Sequence, residues 1–259
     1  METGIAGSPI AIEAGGISKA FVFSGGRIPV LNQISIDVPQ GSWVTIIGPS
    51  GCGKTTFLKI LAGILMPDSG EILLEAEEVD PRGEVAYMPQ SDTLLPWRTA
   101  LENAILASEI DGRPREVARE EARELFFRFG LSGFEDRYPA ELSGGMRQRL
   151  ALIRTFLAHR EVLLLDEPLG SLDALTRATM QEWLRSVWEE LGKSILLVTH
   201  DVEEAILLSD RIAVFSSRPA HIRRTFPVTL PEPRLRTAEA FVALKGEILD
   251  LIHTEDTGG

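Results

Sequence analysis

Several residue types and patterns are scarce in this chain, and each shortage excludes a class of protein. Its 259 residues include one cysteine, Cys52, which excludes an internal disulfide framework and indicates a reducing compartment. No apolar run reaches the ~20 residues that a membrane-spanning helix needs, and the N-terminus shows no charged start followed by an apolar signal core. We therefore expect a soluble cytosolic protein.

Basic residues are also in short supply. Lysine and arginine number 26 against 38 aspartates and glutamates, which gives a net charge of −12. Because binding to nucleic acid or to anionic lipid depends on a basic surface, we expect neither as the main partner. The rest of the composition, 44% hydrophobic and 25% charged, is typical of a globular protein with a proper core.

Hydrophobic patterning indicates an α/β fold. Residues 33–38 (QISIDV) alternate in hydrophobicity, which predicts a half-buried strand. The apolar face of that strand carries Ile34, Ile36 and Val38. The runs 43–48, 162–166 and 194–200 are almost continuously apolar, which is typical of parallel strands covered on both faces.

Helical patterns follow these strands. One runs from Lys54 to about Ile64, and another runs from about Leu172 to Leu191. Near the end of the chain, apolar residues at helical spacing predict a short amphipathic helix. These residues are Phe241, Leu244, Ile248, Leu251 and Ile252.

A change in the hydrophobic and charge pattern predicts an inserted lobe. Between residues 98 and 158 charged helical patterns replace the apolar strands, so we predict a helical lobe over 98–158. It interrupts an α/β core formed by residues 1–97 and 159–259. We interpret the whole as one domain over about 8–235, preceded by a loose tail over residues 1–8.

Residues 48–56 (GPSGCGKTT) match the phosphate-loop pattern Gly-x4-Gly-Lys-Thr. Its glycines let the backbone curl until successive N–H groups converge on phosphate oxygens. Lys54 in such a loop reaches the β- and γ-phosphates, and the Thr55 hydroxyl coordinates Mg²⁺. An apolar strand precedes the pattern and a helix follows it, so we predict a nucleoside triphosphate site. The predicted nucleotide-binding residues are Gly48, Pro49, Ser50, Gly51, Cys52, Gly53, Lys54, Thr55 and Thr56.

A metal ligand and a base are predicted where the strand VLLLD ends. Asp166 is its last residue and lies at the edge where α/β sheets bind ligands, so we expect it to hold Mg²⁺ through water. Glu167 follows and is the candidate general base for the attacking water. His200, at the end of SILLVTH, could contact the γ-phosphate or the water, although a lone histidine is more often structural.

A second glycine-rich helix start lies at residues 142–150 (LSGGMRQRL). Free N–H groups at such a start attract anions. One phosphate group needs one loop, so a second cradle makes sense if it serves the nucleotide of another chain. Ser143 as a helix cap accounts for the start of the helix but does not by itself account for the two glycines. The cradle residues are Leu142, Ser143, Gly144 and Gly145.

Taken together, these motifs resemble the ATP-binding cassette (ABC) ATPases. The motifs GPSGCGKTT, YMPQSD, LSGGMRQR, VLLLDEP, SLDA and VTHD follow in the family's order and cover nearly the whole chain. The resemblance implies a P-loop NTPase fold of the ABC type, with an inserted helical subdomain and an N-terminal antiparallel β subdomain. It also implies hydrolysis of ATP with Mg²⁺.

The same resemblance assigns roles to further residues. Gln90 would sense Mg²⁺ and the γ-phosphate, Asp173 would cross a dimer interface, and His200 would be the switch histidine. An aromatic side chain stacks on adenine in this family; Phe21 fits best, with Phe23 as a rival and a plain core aromatic as the alternative. The implied catalytic residues are Lys54, Gln90, Glu167 and His200, and the implied metal ligands are Thr55, Gln90 and Asp166.

Nucleotide-binding domains of this family pair head to tail, so the cradle at 142–145 would contact the γ-phosphate held by a second copy or a related subunit. One position departs from the family. Met146 stands where glutamine is commonest, and we expect retained activity with a modestly altered site. Cys52 is interpreted as a small filler, although converging N–H groups could favour its thiolate.

Three segments resemble the importer branch that handles nitrate, alkanesulfonates, taurine and thiamine-precursor pyrimidines: 94–106, 199–212 and 231–252. The resemblance implies membrane permease subunits and, through them, a solute-binding protein as partners. The protein would then be peripheral, at the cytoplasmic face of the membrane. Leu95, Pro96 and Trp97 would line the permease-docking groove, although ordinary helix-start packing explains that stretch as well.

Two alternatives to the importer stay open. One is a non-transport ABC ATPase that acts on a nucleic-acid or regulatory partner, although such proteins usually carry insertions, zinc modules or two cassettes. The other is a P-loop kinase, which would not need LSGGMRQR. The transported solute does not follow from this sequence.

Overall fold

In the computed structural model the described residues are 9–23 and 25–254, so the predicted tail over residues 1–8 lies outside them. The strands are β1 (Ile10–Phe23), β2 (Gly26–Pro39), β3 (Trp43–Ile47), β4 (Ser69–Leu74), β5 (Glu77–Glu78), β6 (Val85–Met88), β7 (Val162–Asp166), β8 (Ser194–Val198), β9 (Arg211–Phe215) and β10 (Ile222–Pro227). The helices are α1 (Lys54–Leu61), α2 (Ala100–Ala104), α3 (Leu106–Ile110), α4 (Arg115–Arg128), α5 (Gly144–Phe156), α6 (Ala174–Leu191), α7 (Val202–Leu208) and α8 (Glu239–His253).

A six-stranded sheet carries the three apolar runs. Its strand order is β10-β9-β3-β8-β7-β6, and its pairs are parallel except for the antiparallel pair of β10 and β9. Every residue of β3, β7 and β8 is buried. Helices α5 and α6 pack on one face, and α1 together with β1 and β2 packs on the other, so both faces are covered as continuous apolar runs predict. The predicted α/β core is therefore confirmed.

A second sheet is antiparallel, with the order β2-β1-β4-β5. Within β2, Ile34, Ile36 and Val38 are buried while the intervening Ser35 is exposed. This alternation confirms the predicted half-buried strand. Strands β1 and β2 of the antiparallel sheet precede β3 of the main sheet, whereas β4 and β5 follow it.

Two helix bounds differ from the sequence prediction. α1 ends at Leu61 rather than near residue 64, because Gly63 adopts φ +68° and the chain turns back, with the Ile64 N–H donating to the Lys59 carbonyl at 2.9 Å. α6 begins at Ala174 and not at residue 172, because the Asp173 carboxylate caps it. The closing helix α8 is confirmed.

Four helices, α2 to α5, and a short 3₁₀ turn (Pro139–Glu141) lie between β6 and β7, in the predicted helical lobe. Its apolar side chains Phe126 and Leu150 share one core with Leu163 of the sheet. The lobe therefore packs directly on the sheet, and its predicted bounds remain a prediction. None of the described helices is long and apolar enough to cross a membrane.

Candidate functional site

The phosphate-loop residues connect the end of β3 to the start of α1 and pack tightly against their surroundings. Gly53 adopts φ +127°, and a Cβ there would lie 2.9 Å from side-chain atoms of both Val30 and Leu31. A Cβ on Gly48 would lie 2.8 Å from the Phe215 carbonyl oxygen. Both glycines are therefore required by close approach.

The centre of this loop holds a buried cation. Lys54 is 6% exposed, and its Nζ donates to the carbonyl oxygens of Gly48 at 2.8 Å and Pro49 at 3.0 Å. No side chain in the described residues caps the first turn of α1. Its N–H groups are thus available to an anion, which fits the phosphates of a nucleotide.

Asp166 ends β7 beside this loop. The Thr55 hydroxyl donates to its Oδ1 at 3.2 Å, and the Tyr87 hydroxyl lies 3.5 Å from its Oδ2. Burial is the main cause that raises the pKa of Asp166. A hydroxyl and a carboxylate are the oxygen donors that Mg²⁺ prefers, and Mg²⁺ commonly adds substrate phosphates to one or two carboxylates. The donor set therefore fits Mg²⁺ bound together with a nucleotide.

Glu167 is held on several sides. Its backbone adopts φ +50° and its N–H donates to the Val198 carbonyl at 2.8 Å. Its Oε2 accepts the side-chain amide of Gln90 at 3.1 Å, and its Oε1 lies 3.4 Å from Nδ1 of His200. Three predicted site residues from three separate segments thus meet at one carboxylate.

The second cradle lies at the start of α5. The Met146 N–H donates to the Ser143 hydroxyl at 3.2 Å, so Ser143 caps the helix as its position suggests. Ser143 and Gly144 are exposed, whereas Leu142 is buried. The Met146 side chain packs against the main core. Ser143 therefore caps the helix, and Ser143 and Gly144 are the part of the cradle that is exposed to solvent.

The sequence model of the ABC transporter family matches residues 31–170. This chain belongs to the ABC transporter family. The ABC ATPase is 39% identical to the aliphatic sulfonates import ATP-binding protein SsuB of Bacillus cereus, over 93% of this chain and 95% of that one. It is also 47% identical to the formylaminopyrimidine import ATP-binding protein ThiZ of Halalkalibacterium halodurans, over 74% of this chain and 76% of that one.

Solved structures confirm the fold of the ABC ATPase. A dimeric structure of MJ0796, a bacterial ABC transporter cassette, matches it with a TM-score of 0.78 and 28% identity, over 85% of this chain and 100% of that one. A post-hydrolysis dimer of MJ0796 bound to ADP and Pi matches with a TM-score of 0.75 and 26% identity, over the same shares. These matches confirm the predicted ABC-type fold and the enzyme class.

Two predicted residues of the ABC ATPase have less defined roles. Cys52 is buried, and this burial raises the pKa of its thiol, which favours a filler over a reactive thiolate. Phe21 is half-buried on β1, with Nζ of Lys19 6.0 Å from its ring centroid. The side chain of its rival, Phe23, lies outside the described residues, so the adenine assignment stays a prediction.

The sequence did not predict the contacts that two arginines of α5 make with residues 92–93, just before the predicted permease-docking groove. Arg154 donates to the carbonyls of Asp92 at 2.7 Å and Thr93 at 2.9 Å, and Nε of Arg147 donates to the Asp92 carboxylate at 2.9 Å. Trp97, a few residues on, is 70% exposed. Tyr87 was missed as well. Arginines spaced along one helix are common on solvated faces, so no local signal identifies these partners.

Proposed function

We propose that this ABC ATPase is the energy-coupling subunit of an importer, in which two copies hydrolyse ATP in sites that they share. The observation that carries the proposal is the meeting of Gln90, Glu167 and His200 at one carboxylate beside Asp166. A base, a sensor and a polar switch side chain that follow three neighbouring strands, β7, β6 and β8, suit an attack of water on a γ-phosphate.

Each residue of the site then has a task. The N–H groups of the phosphate loop and Lys54 bind the β- and γ-phosphates, while Thr55 and Asp166 hold Mg²⁺, with Gln90 as a further ligand. When bound, Mg²⁺ neutralises charge that develops on the phosphate oxygens. Glu167 accepts the proton of the attacking water. Phe21 stacks on the adenine.

The shared sites follow from the second cradle. Ser143 and Gly144 are exposed and Gly145 is half-buried, and together they offer a hydroxyl and N–H groups to the γ-phosphate that a partner chain holds. Asp173 lies at the N-terminus of α6 and would face the partner across the interface. The dimeric MJ0796 cassette supports this arrangement.

The importer assignment rests on the relatives and on one exposed side chain. SsuB and ThiZ are named as import proteins for aliphatic sulfonates and formylaminopyrimidine. We propose a solute of similar kind, carried by a separate permease with a solute-binding protein. Trp97 is a large apolar side chain that is 70% exposed beside Leu95 and Pro96, which suits a permease helix. The ATPase would lie peripherally at the cytoplasmic face, without nucleic acid.

The first test removes the base. Glu167→Gln should still bind ATP and accumulate as a closed dimer on a sizing column, while hydrolysis falls by roughly 10²–10⁴-fold. Glu161→Gln is the matched control, because that carboxylate pairs with Lys193 on the surface at 2.6 Å. Turnover of Glu167→Gln at the wild-type rate would remove Glu167 from the mechanism.

The second test asks whether sites are shared. A Lys54→Ala chain is paired with a Ser143→Arg chain in a forced heterodimer, and both chains carry Glu167→Gln so that ATP is trapped. Sharing places both lesions in one composite site and leaves the other intact, so about one ATP per heterodimer is trapped and little in either homodimer, because closure needs donors on both sides of the γ-phosphate. A confirmed heterodimer that traps no more ATP than the homodimers would contradict sharing.

A further inference from the structure

Helix α5 joins the second cradle to the backbone of Glu167. Gln148 on this helix is 5% exposed, and its side-chain amide donates to the Glu167 carbonyl oxygen at 3.3 Å. The same oxygen accepts the Gly170 N–H at 3.2 Å. The helix that starts at Ser143 is thus bonded directly to the base of its own chain.

Glu167 is sensitive to such a contact. Its φ of +50° is sparsely populated by residues other than glycine and has to be held by its surroundings. Its N–H is fixed by Val198 at 2.8 Å on one side, while Gln148 holds its carbonyl on the other. Because the carboxylate follows its backbone, a shift of Gln148 moves that carboxylate relative to Gln90 and His200.

A second contact of α5 bears on Gln90, which donates the hydrogen bond to the Glu167 carboxylate. Arg147, the neighbour of Gln148 on α5, donates from Nε to the Asp92 carboxylate at 2.9 Å. Asp92 follows Gln90 by two residues, and Gln90 donates to Glu167 at 3.1 Å. A displacement of α5 therefore reaches both partners of the Gln90–Glu167 hydrogen bond.

We propose that Gln148 is a positioning residue that orients Glu167 of its own chain when Ser143 of that chain closes on the partner's nucleotide. This rests on the proposed function, in which the two sites are shared. ATP bound in one composite site then sets the base in the other, and α5 is the rigid element between them. Gln148 makes and breaks no bond of the substrate; it acts through Glu167.

The test uses a heterodimer with a single hydrolysing site. One chain keeps Glu167 and is the hydrolysing chain, while the silent chain carries Glu167→Gln. Gln148→Leu is placed in either chain. In the hydrolysing chain it should slow turnover by roughly 10- to 100-fold, because a misplacement of about 1 Å can cost on the order of 10²-fold. In the silent chain it should leave the rate close to that of the parent heterodimer.

The choice of chain separates this role from local damage. If Gln148 served only to shape the Ser143 cradle, the silent chain would be the sensitive one, because its cradle completes the hydrolysing site. Equal slowing from either chain, or greater slowing from the silent chain, overturns the proposal. Gln148→Met keeps a side chain of similar length, removes the donor and should repeat the Gln148→Leu result. Arg149→Gln is the matched control, because it deletes a hydrogen bond from α5 to the Phe129 carbonyl at 2.8 Å. It should not slow turnover more in the hydrolysing chain than in the silent chain.

The link to Ser143 is tested by a double-mutant cycle in the hydrolysing chain. Ser143→Ala and Gln148→Leu should together slow turnover by no more than the stronger single change, because both interrupt one path. Effects that multiply would overturn the transmission. A failure of the proposed function shows elsewhere, as wild-type turnover of the Glu167→Gln homodimer or as no trapping in the Lys54→Ala and Ser143→Arg heterodimer.

Discussion

Glu204 lies in the first turn of α7, four residues after His200, and is 3% exposed. Its Oε1 has no hydrogen-bond partner among the described residues, and its Oε2 accepts the Gln181 amide at a long 3.5 Å. Burial, and then the charge of Asp201, raise its pKa to about 7, against smaller opposing effects of Gln181, Thr199 and Arg177. We expect Glu204→Gln to change how stability depends on pH.

The sign follows from linkage. The pKa of Glu204 is higher in the folded protein, about 7, than its ordinary value of 4.5, so the folded state binds the proton more tightly. The contribution of Glu204 to the free energy of unfolding is most favourable below pH 4.5 and is lost as the pH rises through 7. Between pH 5.5 and 8.5 this carboxyl costs the wild type about 2 kcal/mol, since one pKa unit corresponds to about 1.4 kcal/mol.

The assay is thermal unfolding of wild type and Glu204→Gln at pH 5.5 and 8.5. The Tm of Glu204→Gln minus that of the wild type should increase by roughly 4–8 °C from pH 5.5 to 8.5, because 1 kcal/mol shifts Tm by about 2–4 °C at this chain length. Glu247→Gln is the control, since its exposed carboxylate pairs at the surface with Arg224 at 3.6 Å. Parallel pH profiles of wild type and Glu204→Gln would refute the reasoning.

Three further outcomes are expected. Gly53→Ala should lower ATP affinity at least tenfold in a fluorescent-nucleotide titration, because its Cβ would collide with β2, whereas Gly133→Ala, with φ +85° and open space, should not. Tyr87→Phe should raise the Mg²⁺ concentration for half-maximal ATPase by less than about tenfold, since one hydrogen bond to Asp166 contributes about 1 kcal/mol; an unchanged value would contradict this. Trp97→Ala should weaken co-purification with a permease and leave ATP affinity intact; equal recovery would count against the docking groove.

Local pattern was enough to predict the elements that carry the site. β3, β7 and β8 are read from apolar runs because burial on both faces favours apolar residues at nearly every position. The phosphate loop is contiguous, so its chemistry is visible in nine letters. Asp166 and Glu167 were placed together because they adjoin in sequence and end a strand.

Contacts between distant segments were not visible in the same way. Tyr87 meets Asp166 because β6 pairs with β7, and the two residues are 79 positions apart. Gln148 looks like one more polar residue on a helix until the packing of α5 brings it to Glu167. The order of strands in a sheet and the rotation of a helix on it decide these pairs, and neither is encoded in hydrophobic periodicity.

The arginine contacts between α5 and residues 92–93 have a mechanical consequence. Arg154 donates hydrogen bonds to two successive carbonyls of residues 92–93. The buried Asn103 donates to the carbonyls of Leu95 and Arg98, each at 3.1 Å, and so holds the residues that follow. A segment tied at both ends transmits a push rather than bending under it. A displacement of Trp97 would thus be passed on to α5 with little loss, so the exposed tryptophan and the helix would move together as parts of one rigid unit.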